Sequence, residues 1–179
     1  MENADTRPGD IRLLCLDVDG VMTDGTIRID ADGAEVKSFS VRDGLGLRIW
    51  MDLGYEVAVI TGRSGPSLQH RMNELGVRHL RSGVREKGVV FDALLDELGI
   101  SGKETAMVGD DLPDLPILRR CGYPVAVHDA VAEVRAAASY VTESAGGKGA
   151  VREVVEHLLR SMGRWDEAVA KFDSPPIPG

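Results

Sequence analysis

Four short stretches of this chain hold residue types suited to moving a phosphoryl group. Asp17-Val18-Asp19-Gly20 offers two carboxylates two positions apart. Thr61-Gly62-Arg63 offers a hydroxyl and a guanidinium, and Lys87 an ammonium. Gly109-Asp110-Asp111, with Asp114 close behind, adds more carboxylates. A carboxylate can be a nucleophile that splits one difficult substitution into two easier ones. A second carboxyl group two residues on can protonate the leaving oxygen and later activate water. Clustered carboxylates repel one another and need a cation to coexist, and an all-oxygen set suits Mg²⁺, which keeps several waters. A lysine and a hydroxyl can hold non-bridging phosphate oxygens and offset the charge that spreads during transfer.

The elements needed to bring these stretches together are legible. Apolar runs end where the polar groups begin: Ile11 to Leu16 before Asp17, Val57 to Ile60 before Thr61, Ala106 to Val108 before Gly109. Val125 to Val127 and Tyr140-Val141 are shorter versions. Such runs suit strands buried on both faces of a parallel sheet. Helical patterns lie between them. Leu45, Leu47 and Ile49 to Leu53 form one; Leu68, Met72 and Leu75 form another, stopped by Gly76. Val89, Val90, Ala93, Leu94 and Leu98 repeat at helical spacing before Gly99, and Val151, Val154, Val155, Leu158, Leu159 and Met162 form a core stripe. Strand–helix alternation predicts an α/β fold whose ligands bind beyond the carboxyl ends of its strands. Residues 25–41 break the rhythm. Asp32-Gly33 between alternating runs predicts a β-hairpin just after the first strand, either a plain edge hairpin or, as its place beside that strand's end favours, a flap over a site or a subunit contact.

Composition limits the partners. The formal net charge of −8 argues against binding nucleic acid or an anionic membrane, and 4% aromatic residues argue against stacking on single strands. Two cysteines, Cys15 and Cys121, are too few for a disulfide framework. No run approaches membrane-spanning length and the first residues lack a signal-peptide pattern, so the expected location is the cytoplasm. The 179 residues suit one domain at 11–172, with an N-terminal tail at 1–10 and a Pro-rich extended tail at 173–179. His70, His79, His128 and His157 share no ligand spacing.

Several of these residues have plainer readings. Thr61 alone would cap a helix, and Lys87 alone would be a solvated charge. Asp114 is equally suited to capping the next helix or supporting a metal shell. Gly146, Gly147 and Gly149 around Lys148 read as a tight turn into the last helix before they read as a phosphate cradle.

Taken in order, the stretches at Asp17-Val-Asp-Gly20, Thr61, Lys87 and Gly109-Asp-Asp-Leu-Pro-Asp114 resemble the motifs of the haloacid-dehalogenase-like (HAD-like) phosphatases. One branch is closer. Asp17 to Gly25, Val41-Arg-Asp-Gly44, Ile60-Thr-Gly-Arg63, Gly109 to Leu112 and Ala145 to Glu153 resemble the 3-deoxy-D-manno-octulosonate 8-phosphate (KDO 8-phosphate) phosphatases, from about residue 11 to about residue 170. The resemblance implies a Rossmann-like three-layer fold with a projecting hairpin and no large cap domain. It implies Asp17 as nucleophile and Asp19 as general acid and base. Mg²⁺ would be held by the carboxylates of Asp17 and Asp110 and the main-chain carbonyl of Asp19, with Asp111 and Asp114 behind them. Thr61 and Lys87 would grip the phosphoryl group, and Gly62, Arg63, Arg71 and Arg42 would lie towards the substrate. It further implies a homotetramer, a phosphorylated sugar acid as substrate and a place in lipopolysaccharide sugar synthesis. Two other readings stay open at this point. One is a phosphatase for a nine-carbon, sialic-acid-type 9-phosphate. The other is a non-enzymatic phosphoacceptor domain, which shares the acidic cluster, Thr and Lys but lacks a second Asp placed like Asp19.

Overall fold

The computed structural model describes Pro8 and residues 11–173. The expected tails lie outside the described residues except for Pro8 and Asp173, and Asp173 closes a helix rather than starting an extended tail. The strands are β1 (Leu13–Leu16), β2 (Arg28–Ile29), β3 (Glu35–Val36), β4 (Glu56–Ile60), β5 (His79–Arg81), β6 (Thr105–Gly109), β7 (Tyr123–Ala126) and β8 (Tyr140–Val141). The helices are α1 (Val41–Asp52), α2 (Pro66–Leu75), α3 (Lys87–Leu98), α4 (Leu115–Leu118), α5 (Ala132–Ala137), α6 (Ala150–Ser161) and α7 (Trp165–Asp173). No helix among the described residues is long and apolar enough to cross a membrane.

Six strands form one parallel sheet in the order β5-β4-β1-β6-β7-β8. The chain runs outward from β1 to β4 and β5, then returns to lay β6 on the other side of β1. The gap between β1 and β6 is therefore the switch point of the sheet, where open α/β folds bind ligands. Leu16 pairs with Val108, so Asp17 leaves β1 level with Gly109, and Asp110 follows one residue on. All four residues of β1 are buried, as a strand covered on both faces requires. Helix α1 packs on α6 and α2, and α7 packs on α6; α3, α4 and α5 pack together in the opposite layer.

The predicted helix stops hold. Gly76 and Gly99 end α2 and α3 in left-handed conformation. Asp43 of α1 reaches the amino end of α6, where its carboxylate accepts from the Arg152 N–H at 2.9 Å. An anion is favoured there by the unpaired N–H groups and the helix dipole. The predicted hairpin is the antiparallel pair β2–β3, turned by Asp30, whose side chain accepts from Asp32 and Ala34 N–H. No residue between Asp24 and Ser40 is buried, so the hairpin stands outside the core. It holds the two strands between β1 and α1, and no large cap is present among the described residues. Helix α7 follows α6, which the sequence reading took as the last helix.

Candidate active site

Asp17 enters the site because its N–H continues the sheet by donating to Val108 O, at 3.2 Å. The chain then turns tightly, with the N–H groups of Val21, Met22 and Thr23 all donating to Val18 O. Gly20 sits in this turn at φ +91, and a Cβ there would lie 2.0 Å from Asp110 Oδ2. Only glycine lets the Asp110 carboxylate come this close. Gly146 presses on the same turn from outside: a Cβ there would lie 1.7 Å from Gly20 O. The glycine stretch at 146–149 is thus a packed turn, fastened by Gly147 N–H to Val21 O at 2.9 Å and by Gly146 N–H to Asp129 at 2.9 Å.

On the other side of the switch point, Asp114 fixes the loop after β6. Its Oδ2 accepts from Asp110 N–H at 3.0 Å, and its Oδ1 accepts from Lys87 at 2.8 Å. Its oxygens are therefore occupied, and it supports the site from behind. It does not cap α4 with its side chain. Asp111 is turned away, with its side chain accepting from Leu112 N–H at 2.7 Å. Lys87 opens α3 as expected, but it is a buried group rather than a solvated charge, with a side chain 4% exposed. Its Nζ lies 3.0 Å from Asp17 Oδ1. Thr61 is buried at the end of β4 and caps no helix; α2 begins after Gly65. Its N–H donates to Arg81 O and its carbonyl accepts from Val84 N–H, which draws the segment leading to Lys87 onto the end of β4.

Carboxylate oxygens of Asp17, Asp110 and Asp114 all lie within 4.8 Å of one another. The cost is visible in their proton affinities. Burial, then the charges of Asp114, Asp17 and Asp111, push Asp110 up to about 8. Burial, then Asp114, push Asp17 to about 6 against the pull of Lys87. Burial alone would lower the Lys87 ammonium, but Asp114 and Asp17 outweigh it and the net shift is upward.

Above this floor lies a second charged group. Lys37 of the hairpin donates to Asp19 Oδ1 at 2.5 Å and pairs with Glu35 at 2.6 Å. Arg63 donates to Glu35 at 2.5 Å and lies 3.9 Å from Asp19. Gly62 offers only backbone here. Two of the four predicted substrate-side residues stand apart. Arg71 is engaged with Ser40 O, Glu74 and the face of Phe39, and packs on Gly44. Arg42 is exposed on α1 and joins no ion pair among the described residues. Sequence reasoning missed Lys37 and Glu35. The available signal was their spacing: two positions apart in a strand puts both side chains on one face.

Comparison with known proteins places this geometry. Residues 80–154 match the model of the haloacid dehalogenase-like hydrolases. The 3-deoxy-D-manno-octulosonate 8-phosphate phosphatase KdsC of Salmonella typhi is 47% identical over 163 residues, which cover 91% of this chain and 87% of that protein. The chain belongs to the KDO 8-phosphate phosphatase family. A solved KDO 8-phosphate phosphatase from Moraxella catarrhalis, in complex with a magnesium ion, a phosphate ion and KDO, superposes with a TM-score of 0.90 at 39% identity, over 93% of this chain and 95% of that one. The cobalt-bound phosphatase of Haemophilus influenzae superposes with a TM-score of 0.85 at 41% identity, over 88% of this chain and 92% of that one. As a member of the KDO 8-phosphate phosphatase family, the chain is a phosphatase.

The residues present fit a divalent cation. Asp110 has a buried Oδ1 with no hydrogen-bond partner, and Asp17 Oδ1 is met by Lys87 at 3.0 Å. Asp17, Asp110 and Asp114 with Lys87 leave two negative charges in a buried space, which a doubly charged ion balances. Every free donor is a hard oxygen, and that favours Mg²⁺ over softer metals.

Proposed function

We propose that this protein hydrolyses KDO 8-phosphate to KDO and phosphate, with Mg²⁺ held by the carboxylates of Asp17 and Asp110 and the main-chain carbonyl of Asp19. The observation that carries the reading is Asp17 at the switch point, beside the unpartnered oxygen of Asp110 and with Asp19 two residues on, in a chain of this family. Mg²⁺ supplies charge neutralisation that lets a carboxylate approach a phosphate dianion.

Asp17 attacks phosphorus, and the bond from phosphorus to the sugar oxygen breaks. Asp19 gives that oxygen a proton, so the sugar leaves as an alcohol. Lys87 and the Thr61 hydroxyl hold the non-bridging oxygens while charge spreads over them. Asp19 then takes a proton from water as the water attacks the aspartyl-phosphate, and Asp17 is released. Asp114 keeps Lys87 and the Asp110 backbone in place. Arg63, beside the mouth, is a contact for the sugar acid, whose planar carboxylate a guanidinium can hold at two points.

We place the reaction in lipopolysaccharide sugar synthesis and treat residues 11–172 as one phosphatase domain. A homotetramer is supported by Ile27, Ile29 and Val36, apolar side chains that the hairpin leaves exposed. A reducing, cytoplasmic setting is supported by two free thiols, Cys15 and Cys121.

The test is phosphate release from KDO 8-phosphate, a nine-carbon sugar-acid 9-phosphate and 4-nitrophenyl phosphate, with Mg²⁺ and with chelator. Preference for KDO 8-phosphate, lost with chelator and in Asp17→Asn, is the expected result. Preference for the nine-carbon substrate would keep the mechanism and change the pathway. A phosphorylated protein that persists for minutes would favour a phosphoacceptor.

A further inference from the structure

Lys37 sits in a segment with no core residue, yet its side chain is only 5% exposed. Its ammonium is shared between Asp19 Oδ1 at 2.5 Å and Glu35 Oε1 at 2.6 Å. The other oxygen of Asp19, Oδ2, is buried and has no hydrogen-bond partner. Arg63 Nε lies 3.9 Å from it, beyond hydrogen-bonding reach. The hairpin does not need Lys37 to stay docked. Glu35 already ties it to the body twice, through Arg63 to its carboxylate and through the Ser67 hydroxyl to its main-chain carbonyl at 2.9 Å. What Lys37 adds is a hold on one oxygen of Asp19.

That hold matters for a proton donor. The terminal torsion of an aspartate is soft, so an unrestrained carboxyl group turns freely. Proton transfer requires the two heavy atoms within roughly 2.6–3.2 Å, and a misplacement of about 1 Å can cost about 100-fold.

We propose that Lys37 is a positioning residue for Asp19. It pins Oδ1 and so presents Oδ2 as the oxygen that gives and takes the proton. The proposal rests on the acid–base reading of Asp19 given above. In the first half-reaction the phosphorus–sugar oxygen bond breaks, its electron pair stays on the sugar oxygen, and that oxygen takes the proton from Asp19 Oδ2 as the Asp17–phosphorus bond forms. In the second, a water proton passes to Oδ2 as the water–phosphorus bond forms and the Asp17–phosphorus bond breaks. Lys37 neither gains nor loses a proton.

The experiment is single-turnover release of the leaving group by the full chain with Mg²⁺, for KDO 8-phosphate and for 4-nitrophenyl phosphate. A sugar alkoxide must be protonated to leave, whereas nitrophenolate leaves without help. Lys37→Met is expected to slow the sugar phosphate about 100-fold or more, the lower end of what a general acid supplies. Its half-saturation concentration stays within about threefold, and nitrophenolate release slows by less than about threefold. Lys37→Arg, which can still donate to Oδ1, recovers most of the rate. Equal losses on both substrates, a change confined to half-saturation, no loss on either, or failure of Lys37→Arg to recover would each overturn the proposal. Asp19→Asn separates the two layers. If it spares release from the sugar phosphate, the acid–base reading itself fails. If it abolishes that release and Lys37→Met does not reproduce the difference between substrates, the role of Lys37 alone fails.

Discussion

Two lysines in this protein do superficially the same thing. Lys87 lies between Asp17 and Asp114, at 3.0 and 2.8 Å, and Lys37 lies between Asp19 and Glu35, at 2.5 and 2.6 Å. Both side chains are almost wholly covered. The difference is what holds them. Lys87 opens a helix of the core, and its partners come from the ends of β1 and the loop after β6. Lys37 and Glu35 ride on a two-stranded hairpin that adds no residue to the buried core. The first cluster is a floor fixed by folding itself. The second is a clasp that folding does not require. Where a charge pair sits relative to the core decides whether removing it unfolds the protein or only disarms it.

The largest test of that contrast is to delete each ammonium. Lys87→Met leaves the buried carboxylate of Asp114 without its partner and should cost about 3–5 kcal/mol of stability, along with turnover lowered by about 100-fold or more. Lys37→Met should change stability by no more than about 1 kcal/mol. Denaturant unfolding of both variants checks this. Equal losses would mean that the hairpin is part of the folding unit.

Gly20→Ala is the next largest. The new methyl would meet the Asp110 carboxylate at 2.0 Å with the backbone at φ +91, so a loss of about 1–3 kcal/mol is expected. Displacing Asp110 should also weaken Mg²⁺ by about 10- to 100-fold, as titration calorimetry would show.

Magnesium and pH sharpen the comparison further. Asp110 and Asp17 bind protons more tightly in the folded chain, near pH 8 and pH 6, than their ordinary value of 3.8. A raised carboxylate pKa means that the metal-free fold takes up protons, so its stability should fall as pH rises from about 4 to about 8. Mg²⁺ competes with those protons, and the rise in Tm it produces should be larger at pH 8 than at pH 5.5. A pH-independent increment would place the ion elsewhere.

The smallest effect lies away from both clusters. His157 is held between Tyr123, whose hydroxyl meets its Nε2 at 2.8 Å, and the stacked ring of Tyr140. Burial lowers its pKa from 6.5. A depressed histidine costs nothing above its unfolded pKa and destabilises the fold as pH drops below it. A shallow decline in Tm below about pH 6.5, absent in His157→Gln, is expected.

The floor was legible from sequence and the clasp was not, for a physical reason. Asp17, Thr61 and Asp110 each follow a continuous apolar run, and a run covered on both faces announces a central strand and its end. Strand β5, with only Leu80 apolar in His79–Arg81, carries no such signal. Neither does α7, which starts after Gly163 and exposes Phe172. The hairpin turn was visible in Asp32-Gly33, but its docking rests on Glu35 meeting Arg63 and Ser67 across 28 and 32 positions of chain, and no periodicity encodes that. Arg71 shows the converse limit of reading by residue type. Arg71 looks like a ligand contact by type, but Gly44 and Phe39 give it a structural berth.

The hairpin's independence from the core also bears on descent. A segment that places no residue between Asp24 and Ser40 in the buried core can accumulate substitutions, lengthen or shorten without threatening the fold on which the chemistry depends. A lineage built on this plan can therefore explore new substrates at its rim while the machinery beneath is inherited unchanged.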